Sequence, residues 1–171
     1  MWPMSTDVTP QARARALSSP VRLRILRLCV HQARTNKEIA DALGMNPATT
    51  LHHVRTLVNT GFLAPQPERR GNRGAKEVPY LSTKLSWKTP LPDAAPVLVE
   101  TFLQEIDGLS PDEIQVMRVG LKLSEEDQRE LMARLKGVVE EFMQRPAPED
   151  AVPTSLFVAH HVDTNGLATP E

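Results

Sequence analysis

Along the first half of the chain, apolar positions recur with a helical period and are interrupted at short intervals by capping residues. From about Thr9 to Leu17 the pattern predicts a short polar helix carrying Arg13 and Arg15. Ser18 and Ser19 break it, and Pro20 suits the next helix start, where its missing N–H costs nothing. In VRLRILRLCVH, Arg24, Arg27 and His31 share one stripe, with Val21, Ile25, Leu28 and Cys29 opposite. That is a mostly buried helix with a narrow basic face. Thr35-Asn36-Lys37-Glu38 has the spacing of a capping box, and it opens a helix with Ile39, Ala40 and Leu43 inward. Gly44 ends this helix, while Asn46 as N-cap and Pro47 as first helical residue begin another almost at once. The expected geometry is a helix-turn-helix, with small Ala40 and Gly44 permitting close approach.

The second of these helices runs from Asn46 to about Thr60, with Leu51, Val54, Leu57 and Val58 as its apolar stripe and Gly61 as its stop. Pointing away are Ala48, Thr49, His52, Arg55 and Thr56, all short, hydrogen-bonding or basic. No Asp or Glu occurs between Asp41 and Glu68. A solvated helix face ordinarily mixes Glu with Lys, whereas a face entering the major groove must avoid acids that phosphates would repel. Beyond the helix, 62–66 and 78–82 read as strands. The turn between them carries Arg69, Arg70, Arg73 and Lys76, in the arrangement of a basic wing able to reach the DNA backbone or minor groove.

The charge distribution sharpens this picture. The whole chain of 171 residues has a formal net charge of −1. Met1 to Lys84 holds 13 Lys+Arg against 5 Asp+Glu, a net of +8, and Leu85 to Glu171 holds 7 against 16, a net of −9. One half is therefore suited to a polyanion and the other is not. A lone cysteine excludes an intramolecular disulfide. With no apolar run long enough for a membrane span and no leader-like start, a cytoplasmic protein without membrane contact is expected.

The runs ALSSPVRLRILRLC, NKEIADALGMNPATTLHHVRTLVNTGFL and ERRGNRGAKEVPYLST, in that order, resemble the DNA-binding domain of the ArsR family of winged-helix repressors over about residues 12–84. The resemblance implies a homodimer on double-stranded DNA, with the helix from Asn46 in the major groove and Thr49, His52, His53 and Arg55 at commonly contacting positions. Leu51 departs from the pattern, since many relatives carry a DNA-contacting Ser there. The family's paired-cysteine metal switch is also missing, because Cys29 stands alone on an apolar face.

In the second half, Trp87, Pro90 and Pro92 mark a linker. Asp93 is the expected cap of a helix from Ala94 to Asp107, whose stripe of Leu98, Val99, Phe102, Leu103 and Ile106 suits a core or a dimer seam. Gln115 to Leu123 alternates with period two and reads as a strand, although Ser110-Pro111-Asp112-Glu113 also has the look of a helix start. Ser124 caps a helix running to about Gln144, and SLFVAHHV reads as a further strand. The fold class expected is thus α+β. A winged helix-turn-helix domain (1–86) precedes a small helix-strand-helix-strand domain for dimerisation or effector binding (87–163), and a disordered tail (164–171) follows. Met117, Met132, Phe142, Met143 and Phe157 could serve either as ordinary core or as the lining of a small-molecule effector pocket.

His160, His161 and Asp163 form the one candidate metal cluster. In a strand only His161 and Asp163 share a face, and two ligands do not close a site, so no metal or cofactor is expected. No catalytic constellation or phosphate-cradling loop is present, and no enzyme is expected. The sequence therefore predicts a sequence-specific DNA-binding regulator, a dimeric repressor, with Asn46 at the head of its reading helix. The alternative is a winged-helix protein-interaction module that does not read DNA.

Overall fold

The computed structural model describes residues 8–71, 74–91, 93–148 and 150–164. The chain divides into two units, Met1–Leu109 and Ser110–Glu171. The first unit opens with α1 (Pro10–Leu17), α2 (Pro20–Leu28), β1 (Arg34–Thr35), α3 (Asn36–Leu43) and α4 (Pro47–Asn59). The strands β2 (Leu63–Pro65), β3 (Arg69–Arg70), β4 (Lys76–Glu77) and β5 (Pro79–Ser82) come next, and α5 (Ala95–Ile106) closes the unit.

The predicted punctuation is visible in the backbone. Thr9 caps α1, its hydroxyl accepting from Ala12 N at 3.1 Å. In the capping box of α3, Thr35 Oγ1 accepts from Glu38 N at 3.2 Å while Glu38 Oε2 accepts from Thr35 N at 2.7 Å. Gly44 takes φ 63, and the Gly44 and Met45 amides donate back to Asp41 and Ala40. These bonds satisfy the last carbonyls of α3. A Cβ at Gly44 would meet nothing within 4 Å, so the left-handed backbone, and not close helix approach, is what requires glycine there. Gly61, at φ 80, stops α4 in the same way, with Gly61 N donating to Val58 O and Phe62 N to Leu57 O.

The core lies where α1 to α4 meet the sheet. Leu17, Ile25, Cys29, Ile39, Val54, Leu57 and Phe62 are fully buried, so α1 to α4 and the start of β2 share one apolar interior. Each such large side chain contributes roughly 1.5–3 kcal/mol by leaving water. The sheet has the order β1-β5-β2, all antiparallel, with Thr35 opposite Pro79 and Ala64 opposite Leu81. β1 has only two residues and carries no periodic signal, which is why the sequence pattern does not reveal it. β3 and β4 form a separate ladder, Arg69 opposite Glu77 and Arg70 opposite Lys76, that extends the wing.

Three expectations for the later chain change. Ala94, not Asp93, is the N-cap of α5, and Asp93 sits at φ 53 as the turn residue before it. The helix packs on α2 and belongs to the first unit, because Thr101 is buried and Arg27 Nε approaches Glu105 Oε1 to 2.6 Å. Its apolar stripe faces elsewhere: Leu98, Val99 and Leu103 remain exposed and Phe102 and Ile106 are half-buried.

The second unit holds α6 (Glu125–Gln144), capped by Ser124 and with Glu125, Glu126 and Asp127 in its first turn. Among the described residues, 115–123 and 155–162 belong to no strand. Alternating side chains favour an extended backbone, but a strand also needs a neighbouring ladder, and neither segment has one here. Met117, Phe142 and Met143 are exposed, so the residues considered for an apolar pocket do not enclose one. The expected tail beyond Thr164 lies outside the described residues.

Candidate nucleic-acid interface

The reading surface is set by how α4 is anchored. Asn46 Oδ1 accepts from Ala48 N at 2.8 Å and its carbonyl accepts from Thr50 N at 3.0 Å. Thr50 is fully buried, and its hydroxyl donates to Asn46 O at 3.1 Å. That local bond lets a polar residue sit in the core, so the buried stripe is Thr50, Val54 and Leu57, with Leu51 and Val58 only half-buried. The apolar-versus-polar pattern alone places Leu51 where Thr50 lies.

Opposite this stripe, Ala48, Thr49, His52 and Arg55 are exposed. Their spacing places all four on one face of α4. Thr56 is half-buried, its hydroxyl donating to His52 O at 3.1 Å. His53 is also half-buried, with Nδ1 shielded and without a hydrogen-bond partner among the described residues. Burial, reinforced by Arg22 and His52, holds its pKa below the ordinary histidine value, which keeps the ring neutral. The exposed face therefore presents one flexible cation, one imidazole and small groups, with no carboxylate.

On the wing, Arg70 is exposed and pairs with no carboxylate among the described residues. Lys76 Nζ lies 3.2 Å from Glu68 Oε2. Arg73 lies outside the described residues. Arg69 is turned back onto the helix-turn-helix, its Nη2 reaching Glu38 Oε1 at 2.5 Å. The Thr35 N–H and then Arg69 hold the Glu38 carboxyl below the usual carboxylate range. Sequence reading grouped all four wing cations together, because charge count does not show which of them is already paired.

Two anchoring residues have no signal in the chain's periodicity. Asn36 Nδ2 donates to Pro47 O at 2.9 Å, which ties the start of α3 to the start of α4. Arg13 Nε donates to Thr60 O at 3.4 Å, fastening α1 to the end of α4. Elsewhere, burial pushes the Cys29 thiol up to about 12, so it stays protonated within the core. Among the described residues, no three His, Cys, Asp or Glu side chains could together hold a metal ion. His161 Nδ1 lies 2.9 Å from Val162 O. No helix among the described residues is long and apolar enough to cross a membrane.

A capped helix pair joined by a glycine turn, a three-stranded antiparallel sheet and a basic hairpin define a winged helix-turn-helix domain within an α+β chain. Residues 17–66 match the helix-turn-helix domain family. Similar solved structures include a double mutant of ZitR from Lactococcus lactis, 23% identical over 72% of this chain and 75% of that chain, with a TM-score of 0.35. Another is the homodimeric winged helix-turn-helix DNA-binding domain Mb0332 from Mycobacterium bovis, described as a possible ArsR-family transcriptional regulator. It is 20% identical over 67% of this chain and 100% of that one, with a TM-score of 0.36. The transcriptional regulator SlyA is 17% identical over 71% of this chain and 75% of that one, with a TM-score of 0.34. No curated protein matches the chain.

Proposed function

We propose that the protein is a homodimeric, sequence-specific repressor of the ArsR type, controlled by something other than a paired-cysteine metal site. The observation that carries the reading is the exposed, acid-free face of α4 formed by Ala48, Thr49, His52 and Arg55, beside a wing whose Arg70 is unpaired among the described residues. Thr49 and His52 supply hydrogen-bonding groups for base edges, and Arg55 can reach either a guanine edge or a phosphate. Asn46 and Thr56 hold the ends of this face. Arg70, Arg73 and Lys76 contact backbone beside the major-groove site and set the salt dependence. Arg69 orients the wing through Glu38, and His53 steadies α4 against α2.

Two such domains related by a two-fold axis would read a palindromic site, with half-sites about one helical turn apart. The experiment is a titration of the full chain against DNA from upstream of its own gene at several salt concentrations. A preferred site and steeply salt-dependent affinity are expected. Absence of binding at low salt would favour a protein-interaction module instead.

A further inference from the structure

We propose that His53 makes the reading helix sensitive to acid: on gaining a proton its ring becomes a second cation against Arg22, and α4 loosens from α2. The ring is half-buried on α4, which packs on α2. Its Nδ1 is shielded and has no hydrogen-bond partner among the described residues. A neutral ring accommodates this by carrying its hydrogen on Nε2. An imidazolium cannot, since both nitrogens must then donate, and the hydrogen on Nδ1 would meet no acceptor.

The neighbouring cation is not free to step aside. Arg22 Nη2 donates to Arg15 O at 2.7 Å and its Nε donates to Ala16 O, so the guanidinium serves the last carbonyls of α1. Moving it would reopen that helix end. On α4 itself the next ring is also basic, with the His52 and His53 centroids 5.8 Å apart.

The surrounding elements supply little to offset a new charge. No Asp or Glu occurs from 8 to 37 or from 42 to 67, so α1, α2, α4 and β2 contain no carboxylate. Their other charged groups are Arg13 and Arg15 on α1, Arg24 and Arg27 on α2, and Arg55 on α4. The carboxylates of α3 are engaged, Glu38 by the Thr35 N–H and Arg69 and Asp41 by Lys37. Glu105, which α5 brings to α2, is engaged by Arg27. Burial first, then Arg22 and His52, hold the His53 pKa below its unfolded 6.5. The folded state therefore takes up this proton less readily than the unfolded chain. Stability is complete above 6.5 and is withdrawn as pH falls from 6.5 towards the folded value.

In its effect on DNA the inference rests on the function proposed above, so it is tested with and without DNA. Proton NMR of the full chain alone follows the His53 ring and the amides of α2 and α4 through an acid titration. The ring should titrate below 6.5, and the amides of both helices should move with the same midpoint. A ring that titrates at or above 6.5, or amides that ignore it, would overturn the inference. The second arm measures affinity for duplex DNA from upstream of the protein's own gene at fixed salt. Between about pH 7.5 and about pH 5.5 the parent should lose at least about threefold more affinity than a full-chain His53→Gln variant. His52 is present in both and cancels in the comparison. Equal losses would overturn the inference, and should the variant not fold, the titration of the parent decides. Absence of DNA binding at every pH, with ring and amides moving together, would sink the regulator reading and leave the acid response of α4 standing.

Discussion

Arg69, on the first strand of the wing, is bonded at 2.5 Å to Glu38, the same carboxylate that closes the capping box of α3. One carboxylate thus serves a helix terminus and a hairpin 31 residues away in sequence. The side chains of the pair are 43% and 44% exposed, so the ion pair itself is worth no more than about 1 kcal/mol. Its importance is geometric, because it fixes the direction of the wing.

Glu38→Gln should lower stability by about 1 kcal/mol, mainly through the weakened cap. The pH dependence follows from the depressed pKa. A carboxyl whose folded value lies below its unfolded 4.5 contributes stability above 4.5, and that contribution disappears as pH falls through the folded value. Melting curves from neutral to acid pH should therefore converge for the variant and the parent at the acid end. A gap between them that persists below the carboxylate range would exclude the ionised cap as its cause.

The wing cations should separate in a salt titration. Arg70→Ala and Arg73→Ala should each flatten the slope of log affinity against log salt by about 1. Arg69→Ala should weaken binding with a smaller change in slope, because its charge is already shared with Glu38. Equal slope changes for Arg69 and Arg70 would show that the latch opens on DNA.

Base selection should reside on α4. His52→Ala and Thr49→Ala should each cost about 1–3 kcal/mol on the preferred site and much less on random duplex. Binding-site selection with the two variants measures this, and an unchanged preferred sequence would move the reading function elsewhere.

Gly44→Ala should destabilise the domain by about 1 kcal/mol, and Gly44→Asn by less. The cause would be the positive φ of 63 and not crowding, as no atom lies within 4 Å of the Cβ position. Thermal unfolding of both variants checks the order, and an Ala variant as stable as the Asn variant would contradict it.

Cys29 should resist thiol reagents in the folded protein and react on unfolding, since it is fully buried with a pKa near 12. Rapid labelling under native conditions would reveal an opening of α2 that its packing does not suggest.

Much of the first unit was legible because its signals are local. Thr35 and Glu38, Asn46 and Pro47, and the glycines 44 and 61 act within one helical turn of themselves. What was not legible depends on partners distant in sequence. Thr50 is read as polar until its hydroxyl is seen to return to Asn46, and Arg69 looks like a free cation until Glu38 is placed beside it. Domain limits suffer likewise: α5 follows a proline-rich stretch, yet Thr101 and Glu105 join it to the first unit. The segment 115–123 shows the limit of periodicity, which describes a face and not its neighbour.

The bond from Asn36 to the Pro47 carbonyl has a consequence for how binding preference can drift over evolutionary time. It ties the start of α3 to the start of α4 from a residue outside the exposed face of Ala48, Thr49, His52 and Arg55. Shortening or lengthening that one amide arm would re-aim every groove-facing group together, without altering any of them. In the proposed regulator, operator choice could therefore drift through substitutions at Asn36 that a survey of contact positions would pass over.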